Sequence, residues 1–362
     1  MTSDTPSDPG LLTRLPMPLR WALLVALSAV LAFFMELIGL PAALLLGAMA
    51  AGIGFGINGA RMSVPQVPFI AAEAILACLI ARAINADIVA TFASGWALFL
   101  ATVLTIIAAS SFMGYLLARA RVMPGTTAIW ATSAGAATAM IMLADEYGAD
   151  ARLVGFMQYV RVVMVAIAAS VIAAYVFGAG HGESEPIIWF PPTDWINLAT
   201  MLAIALTSAA AGAVLRLPSG ALLLPVITTS ALHAAGWLTI ELPQWLLAIA
   251  FAIIGWRVGL GFTRRILRHA AHALPQIAVS ALALIAFCGL LGYLLTLFFD
   301  IDGLTAYLAT SPGGLDSVAI IAASTPVDVP FVMALQTVRL IAIMALGPWI
   351  ARMVARRLPN TV

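Results

Sequence analysis

Two stretches of the chain repeat each other without a gap, Thr127-Ala128-Ile129-Trp130-Ala131-Thr132-Ser133-Ala134-Gly135 and Thr305-Ala306-Tyr307-Leu308-Ala309-Thr310-Ser311-Pro312-Gly313. The second copy lies 178 residues after the first. The same offset places Asp150 on Asp328, Gln158 on Gln336 and Arg161 on Arg339. A duplication that keeps a polar, glycine-containing break and an arginine within apolar sequence is typical of transporter-like membrane folds.

The composition is that of an integral membrane protein. Of 362 residues, 63% are hydrophobic and only 9% are charged, and the mean hydropathy is +1.07. The net charge of +1 gives no basic field for nucleic acid, so we expect no direct nucleic-acid partner. All seventeen basic residues are arginines, which excludes a phosphate-binding loop lysine and a lysine Schiff base. We therefore expect no enzyme activity.

Apolar segments long enough to cross a bilayer recur along the chain, and they fall into two sets. We predict an all-α polytopic membrane protein with two inverted repeats, each with five transmembrane helices plus one re-entrant or broken helix. The predicted organisation is a disordered cytoplasmic N-terminus at 1–19, a first membrane repeat at 20–180, an external linker at 181–193 and a second membrane repeat at 194–362.

The arginine distribution predicts the orientation, because cytoplasmic loops carry an excess of arginine and lysine. Arg14 and Arg20 place the N-terminus inside. If the polar-interrupted segments 124–147 and 303–325 each enter and leave on one side, the 264–268 loop and the C-terminal arginines also lie inside. The prediction is a multi-pass protein of the bacterial cytoplasmic (inner) membrane with both termini cytoplasmic. A discontinuous helix that crosses fully is the alternative to a re-entrant hairpin.

The two breaks are candidate binding sites. Small residues and glycine let the backbone leave the helix, and non-helical backbone at membrane depth is tolerated only when it is buried or lines a wet cavity. Tight helix packing is the alternative explanation for small residues. The candidate site residues in the breaks are Thr132, Ser133 and Gly135 in the first copy and Thr310, Ser311, Gly313 and Gly314 in the second.

Arg161 and Arg339 lie about ten residues into their helices, near the bilayer centre, where a charge is costly and usually functional. Gln158 and Gln336 lie one turn earlier on the same helix faces. We predict that these four side chains bind a carboxylate or another small anion. A structural salt bridge that holds the halves together is the alternative.

Asp316 has no acidic counterpart, because Thr138 occupies the equivalent position. A carboxylate that occurs at just one of the two breaks suits a site for a coupling ion or proton. The alternative is that Asp316 is a fixed partner for an arginine. No Cys/His cluster has metal-ligand spacing, so we expect neither a metal nor another cofactor.

The doubled motif, Ala-Thr-Ser-x-Gly with a later Gln-x-Val-Arg in each copy, resembles the AbrB-duplication family of bacterial membrane proteins. Members carry the labels of transcriptional regulator and ammonia monooxygenase. The resemblance covers residues 40–177 and 217–352, and the family is similar in architecture to inverted-repeat carboxylate transporters.

These observations favour a secondary transporter or exchanger of a small, anionic solute. The alternative is a membrane-embedded sensor that acts indirectly on regulation of gene expression, as the family label says. Monooxygenase activity is not expected, because it needs metal ligands that the sequence lacks. The expected partners are a small-molecule solute and the lipid bilayer, and a homodimer is left open.

Overall fold

The computed structural model describes residues 15–357 except 39, 41, 61, 84–85, 121, 124, 136–139, 142–143, 145–146, 179–188, 216–219, 265–273 and 300. For residues 83, 86–95, 125, 152, 316, 344, 348, 351–352 and 354–357 it describes the backbone alone.

Thirteen α-helices are described, and the part of the chain that the structure describes contains no strand. In chain order they are α1 Met17–Leu37, α2 Ala43–Ile57, α3 Gln66–Ala83, α4 Ala86–Arg119, α5 Gly125–Thr132, α6 Ala151–Val171, α7 Trp195–Val214, α8 Gly220–Ala234, α9 Gln244–Gly259, α10 Leu274–Phe299, α11 Gly303–Thr310, α12 Leu315–Ala323 and α13 Val329–Arg357. A π-helical turn, Ile172–Val176, extends α6.

Six helical stretches are long and apolar enough to cross a membrane, and they confirm the prediction of an all-helical multi-pass protein. They are Met17–Leu37, Trp96–Arg119, Leu153–Val176, Trp195–Val214, Leu274–Phe299 and Val329–Gly347. Large apolar side chains such as Phe33, Phe298 and Ile196 are exposed on these stretches, as expected of surfaces that face lipid. The shorter apolar helices are α2, α8 and α9.

Local signals explain where several helices begin. Asp194 accepts hydrogen bonds from the backbone N–H groups of Ile196 and Asn197 and so caps α7. Asp302 accepts from the backbone N–H of Thr305 and caps α11. These carboxylates satisfy N–H groups that have no partner within the helix.

The helices follow the sequence duplication closely. With the offset of 178, α5 falls on α11 residue for residue, and α6 and α13 begin at equivalent positions. Contacts between the halves are reciprocal: α2 packs on α9 while its counterpart α8 packs on α3, and α4 packs on α13 while α10 packs on α6. The duplication is therefore visible in the packing as well as in the sequence.

Small residues let the halves approach closely between α2 and α9. A Cβ added to Gly52 would lie 3.0 Å from the Cα of Gly259, and one added to Gly255 would lie 2.7 Å from the carbonyl oxygen of Leu45. Close approach of helix backbones is the main source of association in lipid, where the hydrophobic effect contributes little.

Two helix boundaries extend beyond the apolar or predicted segments. α4 begins at Ala86, ten residues before Trp96, where its apolar membrane-length stretch begins. α1 begins at Met17, so positions 17–19 of the predicted disordered N-terminus are helical. Residues 1–14, and 181–188 of the predicted external linker, lie outside the described residues.

Candidate functional site at the two helix breaks

Each interrupted segment folds back to its own starting point. The backbone N–H of Asp150 donates to Thr127 Oγ1 at 3.1 Å, and the backbone N–H of Asp328 donates to Thr305 Oγ1 at 3.1 Å. If α12 continued in line with α11, Thr305 and Asp328 would lie about 35 Å apart at 1.5 Å per residue. The segment 303–328 is therefore a hairpin, called here hairpin 2. The ends of 125–150 meet in the same way, and this segment is called hairpin 1, although 136–139, 142–143 and 145–146 lie outside the described residues.

The tip of hairpin 2 is held by two side chains of α13. Arg339 donates from Nη1 to the carbonyl oxygen of Ser311 at 2.7 Å and from Nη2 to that of Gly313 at 3.0 Å. Gln336 donates from Nε2 to the carbonyl oxygen of Leu308 at 2.9 Å and accepts from Arg339 Nη2 at 2.6 Å. Both side chains are almost fully buried.

Hairpin 1 repeats this arrangement at the equivalent positions of α6. Arg161 donates from Nη1 to the carbonyl oxygen of Ser133 at 2.7 Å and from Nη2 to that of Gly135 at 3.3 Å. Gln158 donates to the carbonyl oxygen of Trp130 at 2.9 Å and accepts a hydrogen bond from Arg161 Nη2.

These contacts explain why an arginine is stable at this depth. The last carbonyl groups of α5 and α11 have no partner within their helices, and the helix dipole makes these ends partly negative. A guanidinium group supplies several donors and a positive charge to the same place. Each Arg–Gln pair is therefore a C-terminal cap for the first arm of its hairpin.

The cap does not use every donor of the guanidinium groups. The Nε–H of Arg161 and that of Arg339 have no hydrogen-bond partner, although both side chains are at least 96% buried. Neither arginine forms an ion pair with a described side chain. A buried donor without a partner costs about 1–3 kcal/mol, so a ligand that accepted from these groups would stabilise the protein.

The tip of hairpin 2 lies against the helix that carries Arg161. A Cβ added to Gly314 would lie 3.4 Å from Val162 Cγ2, and one added to Gly313 would lie 3.1 Å from Val165 Cγ1, so hairpin 2 packs on α6. The structure thus places each predicted arginine at the break of its own half, and the second break beside the helix of the first arginine.

A helix N-terminus also meets this region. α12 begins at Leu315, directly after the break, and no side chain caps its N-terminus. Its first N–H groups and its dipole favour a negative charge. The guanidinium groups and the start of α12 are thus two sources of positive potential near the breaks, and Asp316, in the first turn of α12, is a source of negative charge.

The hydroxyl groups of the predicted site donate to their own helices. Thr132 donates to the carbonyl oxygen of Ala128 at 2.9 Å, and Ser133 to that of Ile129 at 2.7 Å. Thr310 and Ser311 do the same in hairpin 2, and Thr310 Oγ1 also lies 2.9 Å from the carbonyl oxygen of Cys288. Their oxygen lone pairs remain available as acceptors.

Asp316 lies in the first turn of α12, next to the break, but its side chain is outside the described residues. The prediction that it binds a coupling ion therefore stays a prediction. The described residues hold no group of three or more His, Cys, Asp or Glu side chains that could bind a metal.

Sequence reasoning missed a pair of glycines that positions the hairpins. A Cβ added to Gly114 of α4 would lie 2.5 Å from Thr132 Oγ1, and one added to Gly292 of α10 would lie 3.0 Å from Thr310 Oγ1. The two glycines are themselves related by the offset of 178, and that signal could have found them.

The duplicated hairpins and their caps lie within a stretch that a known family shares. Residues 44–355 match the family model described as "Transition state regulatory protein AbrB". The chain belongs to the AbrB family. This confirms the resemblance that the doubled motif indicated, and the matched range contains both hairpins and both arginines.

Two relatives extend the comparison. The chain is 45% identical over 343 residues to the protein named "Putative regulator AbrB" of Escherichia coli (strain K12), and the match covers 94% of this chain and 98% of that protein. It is 22% identical over 307 residues to the protein YhjN of Bacillus subtilis (strain 168), covering 81% and 78% of the two chains.

Proposed function

We propose that this AbrB-family protein is a secondary transporter or exchanger of a small anionic solute in the bacterial cytoplasmic membrane. The observation that carries the proposal is the pair of buried arginines, each beside a helix break and each with an unpartnered Nε–H. The capping hydrogen bonds do not involve that donor, so capping alone does not explain why it is buried. An anion at the breaks would accept from it and would offset the buried positive charge of the guanidinium groups.

The orientation of the halves supports alternating access. With arginine-rich loops inside, hairpin 1 opens to the cytoplasm and hairpin 2 to the exterior, so the halves are inverted copies with five crossings each. The reciprocal helix contacts between the halves fit this arrangement. Both termini are then cytoplasmic. The proposal assigns the coupling cation or proton to Asp316, with the hydroxyl groups of Thr132, Ser133, Thr310 and Ser311.

The test is flux in reconstituted liposomes loaded with candidate anions. We expect the wild-type protein to exchange at least one anion and the Arg339→Ala variant to lose that exchange. The exposed Arg119→Ala substitution at the end of α4, where the side chain bonds Tyr115 of its own helix, controls for general effects of losing an arginine. Equal flux by wild type and Arg339→Ala for every anion tested would contradict the proposal.

A second candidate is a membrane sensor that binds the anion without moving it and acts indirectly on regulation of gene expression. The observation in its favour is the word "regulator" in the name of the relative from Escherichia coli. Saturable anion binding that depends on Arg161 and Arg339, with no flux in the same liposomes, would favour the sensor.

A further inference from the structure

The described helices pack as two bodies, and each body contains helices from both halves of the chain. The first three helices of each half form the scaffold body, which comprises α1, α2, α3, α7, α8 and α9. In it α2 packs on α9, and α3 packs on α7, α8 and α9. The other helices form the hairpin body, which comprises α4, α5, α6, α10, α11, α12 and α13. In it α13 packs on α4 and α5, and α6 packs on α10 and α12.

Contacts between the two bodies are less extensive than contacts within them. They are made by α3, which packs on α12 and α13, and by α2, which packs on α6. The chain passes between the bodies at three connections, from α3 to α4, from α6 to α7 and from α9 to α10. Each repeat is therefore divided after its third helix, and the boundary between the bodies is not the boundary between the halves.

The scaffold body joins the two halves firmly. Besides the close approach of the α2 and α9 backbones, Trp256 Nε1 of α9 donates to Ser28 Oγ of α1 at 2.9 Å. Arg257 Nη1 of α9 donates to the carbonyl oxygen of Val64, just before α3, at 3.0 Å. A movement of one half against the other would break all of these contacts.

The hairpin body joins the two halves as well. A Cβ added to Gly347 of α13 would lie 3.0 Å from the Trp130 ring of hairpin 1. The ring centroids of Phe99 in α4 and Phe331 in α13 lie 5.1 Å apart. Hairpin 2 packs on α6, as described above. Both arginines and both breaks therefore belong to one packed unit.

The helix α6 contacts the scaffold body near both of its ends. A Cβ added to Gly261, just after α9, would lie 2.7 Å from Tyr159 Cε2. At the other end of α6, Tyr175 Oη donates to the carbonyl oxygen of Ile38, just after α1, at 3.4 Å, which is long for a hydrogen bond. The arginine of this helix, Arg161, is only 4% exposed, so a solute reaches it only after the protein has moved.

We propose that the hairpin body moves as one rigid unit against the scaffold body and carries the anion with it. The proposal rests on the transport function proposed above and adds which parts of the protein move. Densely packed units do not deform continuously, so a large movement occurs where packing is least extensive, and here that is the boundary between the bodies. The halves do not rock against each other, because each body holds them together.

The first test links the two bodies covalently. Ile38→Cys with Tyr175→Cys, and Tyr159→Cys with Gly261→Cys, are treated with a short, reducible, bifunctional thiol reagent. Exchange of labelled acetate, hexanoate or succinate is measured in the same liposomes before linking, after linking and after reduction. We expect exchange to be lost in proportion to the linked fraction and to return on reduction. Wild type is the background, since Cys78 and Cys288 are buried.

The matched control links the two halves within the scaffold body. The rings of Trp21 in α1 and Trp256 in α9 lie 5.9 Å apart. Linked Trp21→Cys with Trp256→Cys should exchange the anion as fast as the same protein before linking, because the scaffold body does not change its shape. Loss of exchange in this linked control would overturn the proposal, and so would exchange that persists in both pairs linked between the bodies.

The second test measures movement without flux, by electron–electron distances between nitroxides on cysteines at exposed positions. Val67 with Leu104 spans the two bodies within one half, whereas Val67 with Val214, and Leu104 with Leu282, span the two halves within one body. Acetate, hexanoate or succinate should change the first distance and neither of the other two. A first distance that stays fixed with all three anions, or a change within a body, would overturn the proposal. A changing first distance in a protein that exchanges no anion would refute transport and leave the movement standing.

Discussion

Gln336 links the cap of hairpin 2 to the arginine that carries the proposed site, and its replacement by leucine tests that link. The substitution removes the hydrogen bond from Arg339 Nη2 to Gln336 Oε1 at 2.6 Å and the one from Gln336 Nε2 to the carbonyl oxygen of Leu308 at 2.9 Å. Leucine keeps the site apolar and nearly fills the same volume.

The expected decrease in the free energy of unfolding follows from the loss of these two hydrogen bonds. A hydrogen bond to a charged group contributes about 1.5–3 kcal/mol and a neutral one about 0.5–1.5 kcal/mol. The carbonyl oxygens of Ser311 and Leu308 keep other donors, Arg339 Nη1 and Ser311 Oγ, so neither is left unpaired. We therefore expect the free energy of unfolding to fall by about 2–4 kcal/mol.

The assay is reversible unfolding in mixed micelles, followed by tryptophan fluorescence. The control is Gln244→Leu at the exposed start of α9, which should change the free energy of unfolding by less than about 0.5 kcal/mol. Gln158→Leu should lower the free energy of unfolding by as much as Gln336→Leu, because Gln158 holds hairpin 1 in the same way. A loss below about 0.5 kcal/mol in Gln336→Leu would refute the capping role.

Three further predictions concern the geometry of the hairpins. Gly292→Ala should destabilise the protein by about 1–3 kcal/mol, because the added Cβ meets hairpin backbone. Gly54→Ala has open space around the added Cβ and should stabilise the protein by up to about 1 kcal/mol. Thermal unfolding distinguishes the two variants. Thr305→Val should lower the free energy of unfolding by about 1 kcal/mol, because it removes the acceptor of the Asp328 amide. Hydrogen exchange of that amide should become faster, and unchanged exchange would contradict the closure of the hairpin. Val162→Cys with Gly314→Cys should be joined by a short bifunctional thiol reagent, with each single variant as control. Absence of the cross-link would show that hairpin 2 does not pack on α6.

Much of the fold could be predicted from the sequence because its signals are local or repeated. Apolar run length predicts helices in lipid, and the offset of 178 predicts that α5 and α11 share their boundaries. Apolar run length does not predict the start of α4 at Ala86, because the apolar stretch that is long enough to cross a membrane begins only at Trp96.

The site was predicted in part. Polar residues at membrane depth are costly, and this singled out Arg161, Arg339 and their glutamines. Their capping of backbone carbonyl groups could not be predicted, because it depends on how far each hairpin reaches along α6 or α13.

The central claim is that the Nε–H groups of Arg161 and Arg339 bind a solute anion between the hairpin tips. Solid-state NMR of the protein in lipid, with ¹⁵N-labelled arginine, observes these groups directly, and Arg161→Lys and Arg339→Lys assign their signals. We predict that acetate, hexanoate or succinate shifts both assigned signals in a saturable way. Signals that stay unchanged in the presence of an anion that the protein transports would contradict the account.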